Sequence, residues 1–317
     1  MKNILGLFLA TLTAVASAQP TTELVISSGA EGGTYFRMIE EAKATCGQSV
    51  NIVNLPSPGG GTESISRLFS KQVNAALIQG DQIAYTALTD ARMKDYYTLF
   101  AFHTEDLHFL VPRGIGVVDS TALGWRDRLA GLISDNQKLV NTPPYKYITD
   151  LRNEPILASG GSAITVQALQ AFAGLSVNLV QKKNWDEVFA ALKAGEARVA
   201  LFVGGQPLGI FKDVDERLDF LQVSAETVNN KKVVDNYGPA VLNYTNMRVA
   251  GYQTLTTRAL LVTRDYKSPQ IRAALKAFRT CLNDNLTLLQ EQLGKHPAWN
   301  TVRPNEQGFW QWLNLDD

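Results

Sequence analysis

The sequence predicts an α/β protein of two doubly wound lobes joined by a two-strand hinge. Three features of its 317 residues support this reading. Short apolar runs alternate with helix-period segments in two separate series, the pattern of parallel strands covered on both faces by helices. The two series resemble one another in detail. Two further strand-like runs stand before and after the second series, where a chain leaving one lobe and returning to it would cross.

In the first series, Leu24–Ser27, Val50–Leu55 and Ala75–Ile78 read as strands. Gly33–Cys46, Gly61–Ser70 and Gln82–Leu88 read as the intervening helices. The second series gives strands at Pro155–Ala158, Val177–Gln181 and Val199–Val203, with helices at Ser162–Phe172, Trp185–Ala194 and Leu208–Val214. "RLFSKQVNAALIQGDQ" (Arg67–Gln82) aligns without a gap on "ALKAGEARVALFVGGQ" (Ala191–Gln206), and Glu63 falls on Glu187. The hinge runs are "EDLHFLVPR" (Glu105–Arg113) and "TTRALLVTR" (Thr256–Arg264). A C-terminal helix over Pro269–Leu293 is expected to pack back on the first lobe.

The first eighteen residues have the form of an export signal: Lys2, an apolar stretch Ile4–Val15, and the small-x-small site Ala16-Ser17-Ala18. This predicts a periplasmic protein cleaved after Ala18. The resulting organisation is 1–18 signal, 19–108 first part of lobe I, 109–258 lobe II with an insertion at about 114–150, and 259–317 the return segment of lobe I with its helix and tail. Within the insertion, Trp125–Ile133 reads as an amphipathic helix and "NTPPYKY" as a turn-rich connection. The tail carries Trp299, Phe309, Trp310 and Trp312, either as cover for a core edge or as a partner surface.

Thirty basic and thirty acidic side chains balance, which argues against a nucleic-acid partner or a polybasic membrane patch. Cys46 and Cys281, the two cysteines, both fall on apolar helix faces. A disulfide between them is expected in an oxidising compartment, with two buried free thiols as the alternative.

Nucleotide and nucleophile motifs are missing. There is no GxxxxGK[ST], and Gly29, Gly32 and Gly33 in "SSGAEGGTYF" do not make GxGxxG. There is no GxSxG elbow. "FHTEDLH" admits a metal, but a solvated or hinge-capping stretch suits it better. No catalytic residue, cofactor or metal is assigned. The sequence does contain small-residue loops after strands, each opening a helix: "SGAEGGTY", "SPGGGTES" and "QGDQ" in the first lobe, "SGGSAIT", "KKNWDE" and "GGQP" in the second. In open parallel sheets such loops line the ligand crevice. Helix N-termini there offer unpaired N–H groups and partial positive charge to an anion.

"SSGAEGGTYF", "PSPGGGTESISRLFSKQVNAALIQGDQIAYTAL" and "ITDLRNEPILASGGSAIT" together resemble the TAXI-type solute-binding proteins of TRAP transporters, within the type II periplasmic binding-protein fold. The likeness runs from Leu24 to about Leu293. It departs from the family pattern at Thr62-Glu63, at Gly80 and in the longer Gly114–Tyr147 segment. The resemblance implies a monomeric, non-catalytic venus-flytrap receptor for a small carboxylate or amino acid, with the permease subunits of a membrane transporter as partner. It also implies ligand contacts from Gly33, Thr34, Tyr35, Gly60, Thr62, Gln79, Asp81, Ser159, Gly161 and Ser162. Glu31 and Asp81 read equally as acids that hold a ligand's ammonium group or as solvated loop acids. ABC importers, sensor kinases and a periplasmic dehydratase or lyase use the same fold and are the alternatives.

Overall fold

The computed structural model describes residues 22–112, 145–214, 218–304, 306 and 310–315. The expected signal and nearly all of the insertion, including Trp125–Ile133, lie outside them.

In chain order, β1 (Glu23–Ser27), α1 (Thr34–Cys46), β2 (Asn51–Leu55), α2 (Gly60–Phe69), β3 (Ala75–Gln79) and α3 (Gly80–Thr89) form the first half. A long strand, β4 (Tyr96–Pro112), then leads to β5 (Arg152–Ser159), α4 (Gly160–Ala173), β6 (Ser176–Lys182), α5 (Trp185–Lys193) and β7 (Val199–Gly204). After β8 (Leu218–Phe220) come two short helices, α6 (Ala225–Val228) and α7 (Lys231–Val234), then β9 (Gly238–Tyr244). A second long strand, β10 (Val249–Arg264), returns to α8 (Pro269–Asp284) and α9 (Leu286–Glu291).

Both expected lobes share one curled sheet with strand order β2-β1-β3-β10-β4-β7-β5-β6. The pairs β1–β2, β1–β3, β5–β6 and β5–β7 are parallel, as short strands joined by helices require. β4 and β10 are antiparallel partners from Tyr96–Arg264 to Asp106–Thr256. Beyond that point β4 pairs with β7 and the start of β10 pairs with β9. The expected hinge runs are the later halves of these two strands and meet only at Glu105–Thr257 and Asp106–Thr256; the rest of the first run lies beside β7 in the second half and the rest of the second beside β3 in the first half. The earlier part of β4, "YYTLFAFHT", is buried on both faces and carries no alternation to mark it as a strand.

Each half is packed on both faces. In β3, Ala75 and Leu77 join a core with α1 and α8, while Ala76 and Ile78 join a second core under α2. In β7, Val199, Leu201 and Val203 face α4, and Ala200 and Phe202 face α5. Such strands read as unbroken apolar runs.

The internal repeat extends to backbone detail. Lys71 and Gly195, aligned in sequence, both have a left-handed φ, at 61° and 74°. The amide of Gln72 donates to Arg67 O and that of Glu196 to Ala191 O, the same bond closing the same helix end. Glu63 accepts from the amide of Gly59, and Glu187 from that of Lys183.

Two expectations need correction. Leu208–Val214 forms only a single 3-10 turn, Gly209–Phe211. The C-terminal helix breaks at Asn285, whose side chain turns back to the Cys281 carbonyl, leaving α8 and α9 in place of one helix. The Trp-rich tail takes the first of its two readings and packs against a core edge: Trp299 is fully buried with its indole donating to Glu41, and the Trp310 indole donates to Tyr96 O. Cys46 and Cys281 are bonded, with a Cα separation of 5.9 Å, and this ties α1 to α8. Among the described residues no helix is long and apolar enough to cross a membrane.

Candidate functional site

The glycine loops of the two halves meet. A Cβ placed on Gly60, at the start of α2, would lie 3.6 Å from the amide nitrogen of Gly161, at the start of α4. Beside that contact is a cavity of about 330 Å³. The first turns of α1, α2, α4 and α5 open onto it through Thr34, Gly61, Ser162 and Trp185. Each first turn presents backbone N–H groups that lack helical partners.

Eight residues expected at the site line this cavity: Gly33, Thr34, Tyr35, Gly60, Gln79, Ser159, Gly161 and Ser162. Thr62 does not. It is exposed on the outer side of α2, one residue past the turn that faces the cleft. Asp81 does not line it either. It is fully buried behind Gln79, where Tyr237 donates to its Oδ2 at 3.1 Å and its own amide donates to Thr257 Oγ1 at 3.3 Å. Burial pushes the Asp81 carboxyl up to about 6, against the hydrogen bond from Tyr237. Glu31 is exposed and away from the cavity. Neither acid considered for a ligand's ammonium therefore faces the space where a ligand would sit.

Glu105 does face it. It lies on β4 at the crossing, 6% exposed, with the Tyr35 hydroxyl donating to Oε2 at 2.5 Å and His103 Nε2 at 3.5 Å from Oε1. Burial and the adjacent Glu105 carboxylate push the Tyr35 phenol well above its ordinary value, so it stays a donor. Glu105 and Lys183 are the two charged side chains among the cavity's described residues. The sequence signal for Glu105 was its place as the first of two adjacent acids, Glu105-Asp106, opening a strand-like run. Alternation put it on the face of His103, but nothing local said which face was the cleft.

Gln79 and Gln82 form a buried carboxamide pair, Gln82 Nε2 donating to Gln79 Oε1. Gly61 and Gly161 leave room for it, since a Cβ at Gly161 would stand 2.6 Å from Gln82 Nε2. The two histidines of "FHTEDLH" emerge on opposite faces of β4. His103 lies against Tyr35, whereas His108 is buried among Phe211, Phe220 and Tyr244, with burial lowering its pKa to about 3. Among the described residues no group of metal-ligating side chains converges.

No protein-family model matches the chain. No curated protein matches its sequence. Its fold is shared with solved structures. The structure of Tv2483 bound to L-arginine superposes with a TM-score of 0.52 at 12% identity, over 90% of this chain and 95% of that one. The substrate-binding protein of an amino acid ABC transporter gives 0.48 at 10% identity, over 86% and 100%. A protein from Xanthomonas citri bound to ATP gives 0.48 at 11% identity, over 92% and 91%. The chain has the type II periplasmic binding-protein fold, two α/β lobes about an interlobe cavity.

Proposed function

We propose that this protein is an extracytoplasmic, non-catalytic solute-binding receptor that captures a small amino acid or carboxylate between its lobes. Glu105 carries the amino-acid reading. It is a buried carboxylate on the cavity wall, and four helix starts and Lys183 supply the opposite polarity elsewhere on that wall. An α-amino acid complements both: its ammonium answers Glu105, and its carboxylate answers the helix N-termini. A dicarboxylate would bring a second anion toward Glu105. Tv2483, of the same fold, holds L-arginine.

The ligand contacts fall on the eight lining residues named above together with Glu105. Ligand contacts to both lobes favour the closed form. As a finer reading, from the TAXI-type motifs, a monomeric receptor in the periplasm delivers this ligand to a TRAP-type permease.

Thermal denaturation with L-amino acids and small carboxylates tests the first step. The true ligand at ~100 times its Kd adds about 2.7 kcal/mol of stability. A folded protein that no compound in the panel stabilises would sink the proposal. Ligand uptake by proteoliposomes holding a TRAP-type permease, with and without the receptor, tests the delivery.

A further inference from the structure

The Asp81 cluster belongs to both lobes. Asp81 is in the first turn of α3, which follows β3 in the first half. Tyr237, its hydroxyl partner, is 2% exposed in the core that α4 and β7 share in the second half, and Thr165 is on α4 itself. The carboxylate is therefore buried by the meeting of the lobes. When they part, Tyr237 and Thr165 leave with their own core and water reaches Asp81.

We propose that Asp81 is a proton-dependent latch: closing the cleft moves its carboxyl from water into a cross-lobe pocket made by Tyr237 and Thr165, so closure takes up a proton and is favoured as pH falls. This regulates the site proposed above and rests on that reading for its purpose, while the closure itself needs no ligand.

The surroundings of Asp81 agree with this. From α3 itself the Gln82 amide supports the ionised form, as does the Tyr237 hydroxyl, while Asp81 Oδ1 is buried without a partner among the described residues. Glu105 on β4 opposes it, and Tyr35 on α1 feels the Asp81 charge. On β10, Thr257 Oγ1 accepts the Asp81 amide. Arg258, next along that strand, points to the other face and ties to Arg303 O and Glu306. Desolvation outweighs these hydrogen bonds, and the closed-state value is about 6 against 3.8 for a free aspartate. Because the closed value is the raised one, the advantage to closure is complete below the open value and is lost as pH rises through about 6.

Small-angle X-ray scattering of the unliganded full chain at two pH values tests the latch. The closed-to-open ratio is expected to rise roughly tenfold between about pH 7.5 and about pH 5. Asp81→Asn, neutral and similar in shape, removes that response and leaves the chain compact at both values. Tyr237→Phe, which takes away a donor to the ionised carboxylate, shifts the protein toward open at the higher pH. Asp106 is also held at about 6 by burial but sits within the paired crossing strands, so Asp106→Asn retains the response. A scattering profile that ignores pH, or a response that survives Asp81→Asn, overturns the proposal. A latch that works in a protein no amino acid stabilises would leave the inference standing and remove the receptor reading. A receptor that binds but closes independently of pH would do the reverse.

Discussion

The Tyr35 hydroxyl donates a 2.5 Å hydrogen bond to Glu105 Oε2, joining the first turn of α1 to a strand that crosses between the lobes. The bond fixes the carboxylate on the cavity wall and leaves Oε1 on the side of His103. Replacing Glu105 by Gln keeps the shape and removes the charge. Calorimetry should show amino-acid affinity falling roughly ten- to a hundredfold, the value of a hydrogen bond to a charged group. Tyr35→Phe should cost less, since it loosens the acid without removing it.

Gly161 leaves room for the buried carboxamide of Gln82. In Gly161→Ala the new methyl would stand 2.6 Å from Gln82 Nε2 and 3.0 Å from Gln79 Oε1, both on the other lobe. The added carbon obstructs closure and leaves each lobe's core untouched. Scattering should report a chain that stays open with ligand present, and affinity should fall more than tenfold at nearly unchanged Tm. Closure and affinity like those of the wild type would show that the glutamines yield easily.

The bond between Cys46 and Cys281 closes a separation of 235 residues. A Cys46→Ala/Cys281→Ala protein should lose about 2–5 kcal/mol in chemical denaturation. Both positions are remote from the cavity, so ligand affinity should hold. A fall in affinity that matched the loss of stability would show that α1 transmits strain to its first turn.

Trp299 is the largest fully buried side chain among the described residues, and its indole donates to Glu41 at 2.7 Å. Trp299→Ala should cost about 3–5 kcal/mol by emptying that site. A partner surface would behave differently, with stability kept and assembly lost.

Much of the fold was legible because it is periodic. The strand–loop–helix units repeat, and the gapless alignment of Arg67–Gln82 on Ala191–Gln206 is matched in the structure down to the left-handed Lys71 and Gly195. The glycine loops were legible because small residues between a strand and a helix have few other uses. The missing pieces lacked a local signal. Tyr96–Thr104 is apolar on both faces and has no alternation. The break at Asn285 depends on one side chain reaching back to Cys281 O. Asp81 was expected in the cleft and lies behind it, whereas Glu105, given no ligand role, faces it, because whether an acid faces a cleft is decided by the other lobe. Thr62 failed for a simpler reason, since one step along a helix turns a side chain through about 100°.

The pairing of β4 with β10 has a consequence for how such a chain can be rebuilt. Everything between Asp106 and Thr256 leaves and re-enters on two neighbouring backbones, Cα partners in one ladder. The second half is in effect a cassette spliced into the first at a single seam. A tight turn joining those two backbones should leave a minimal half-receptor that keeps β1–β3, α8 and the disulfide. The same seam would accept the corresponding half of a relative, giving a chimera whose two cavity walls come from different parents.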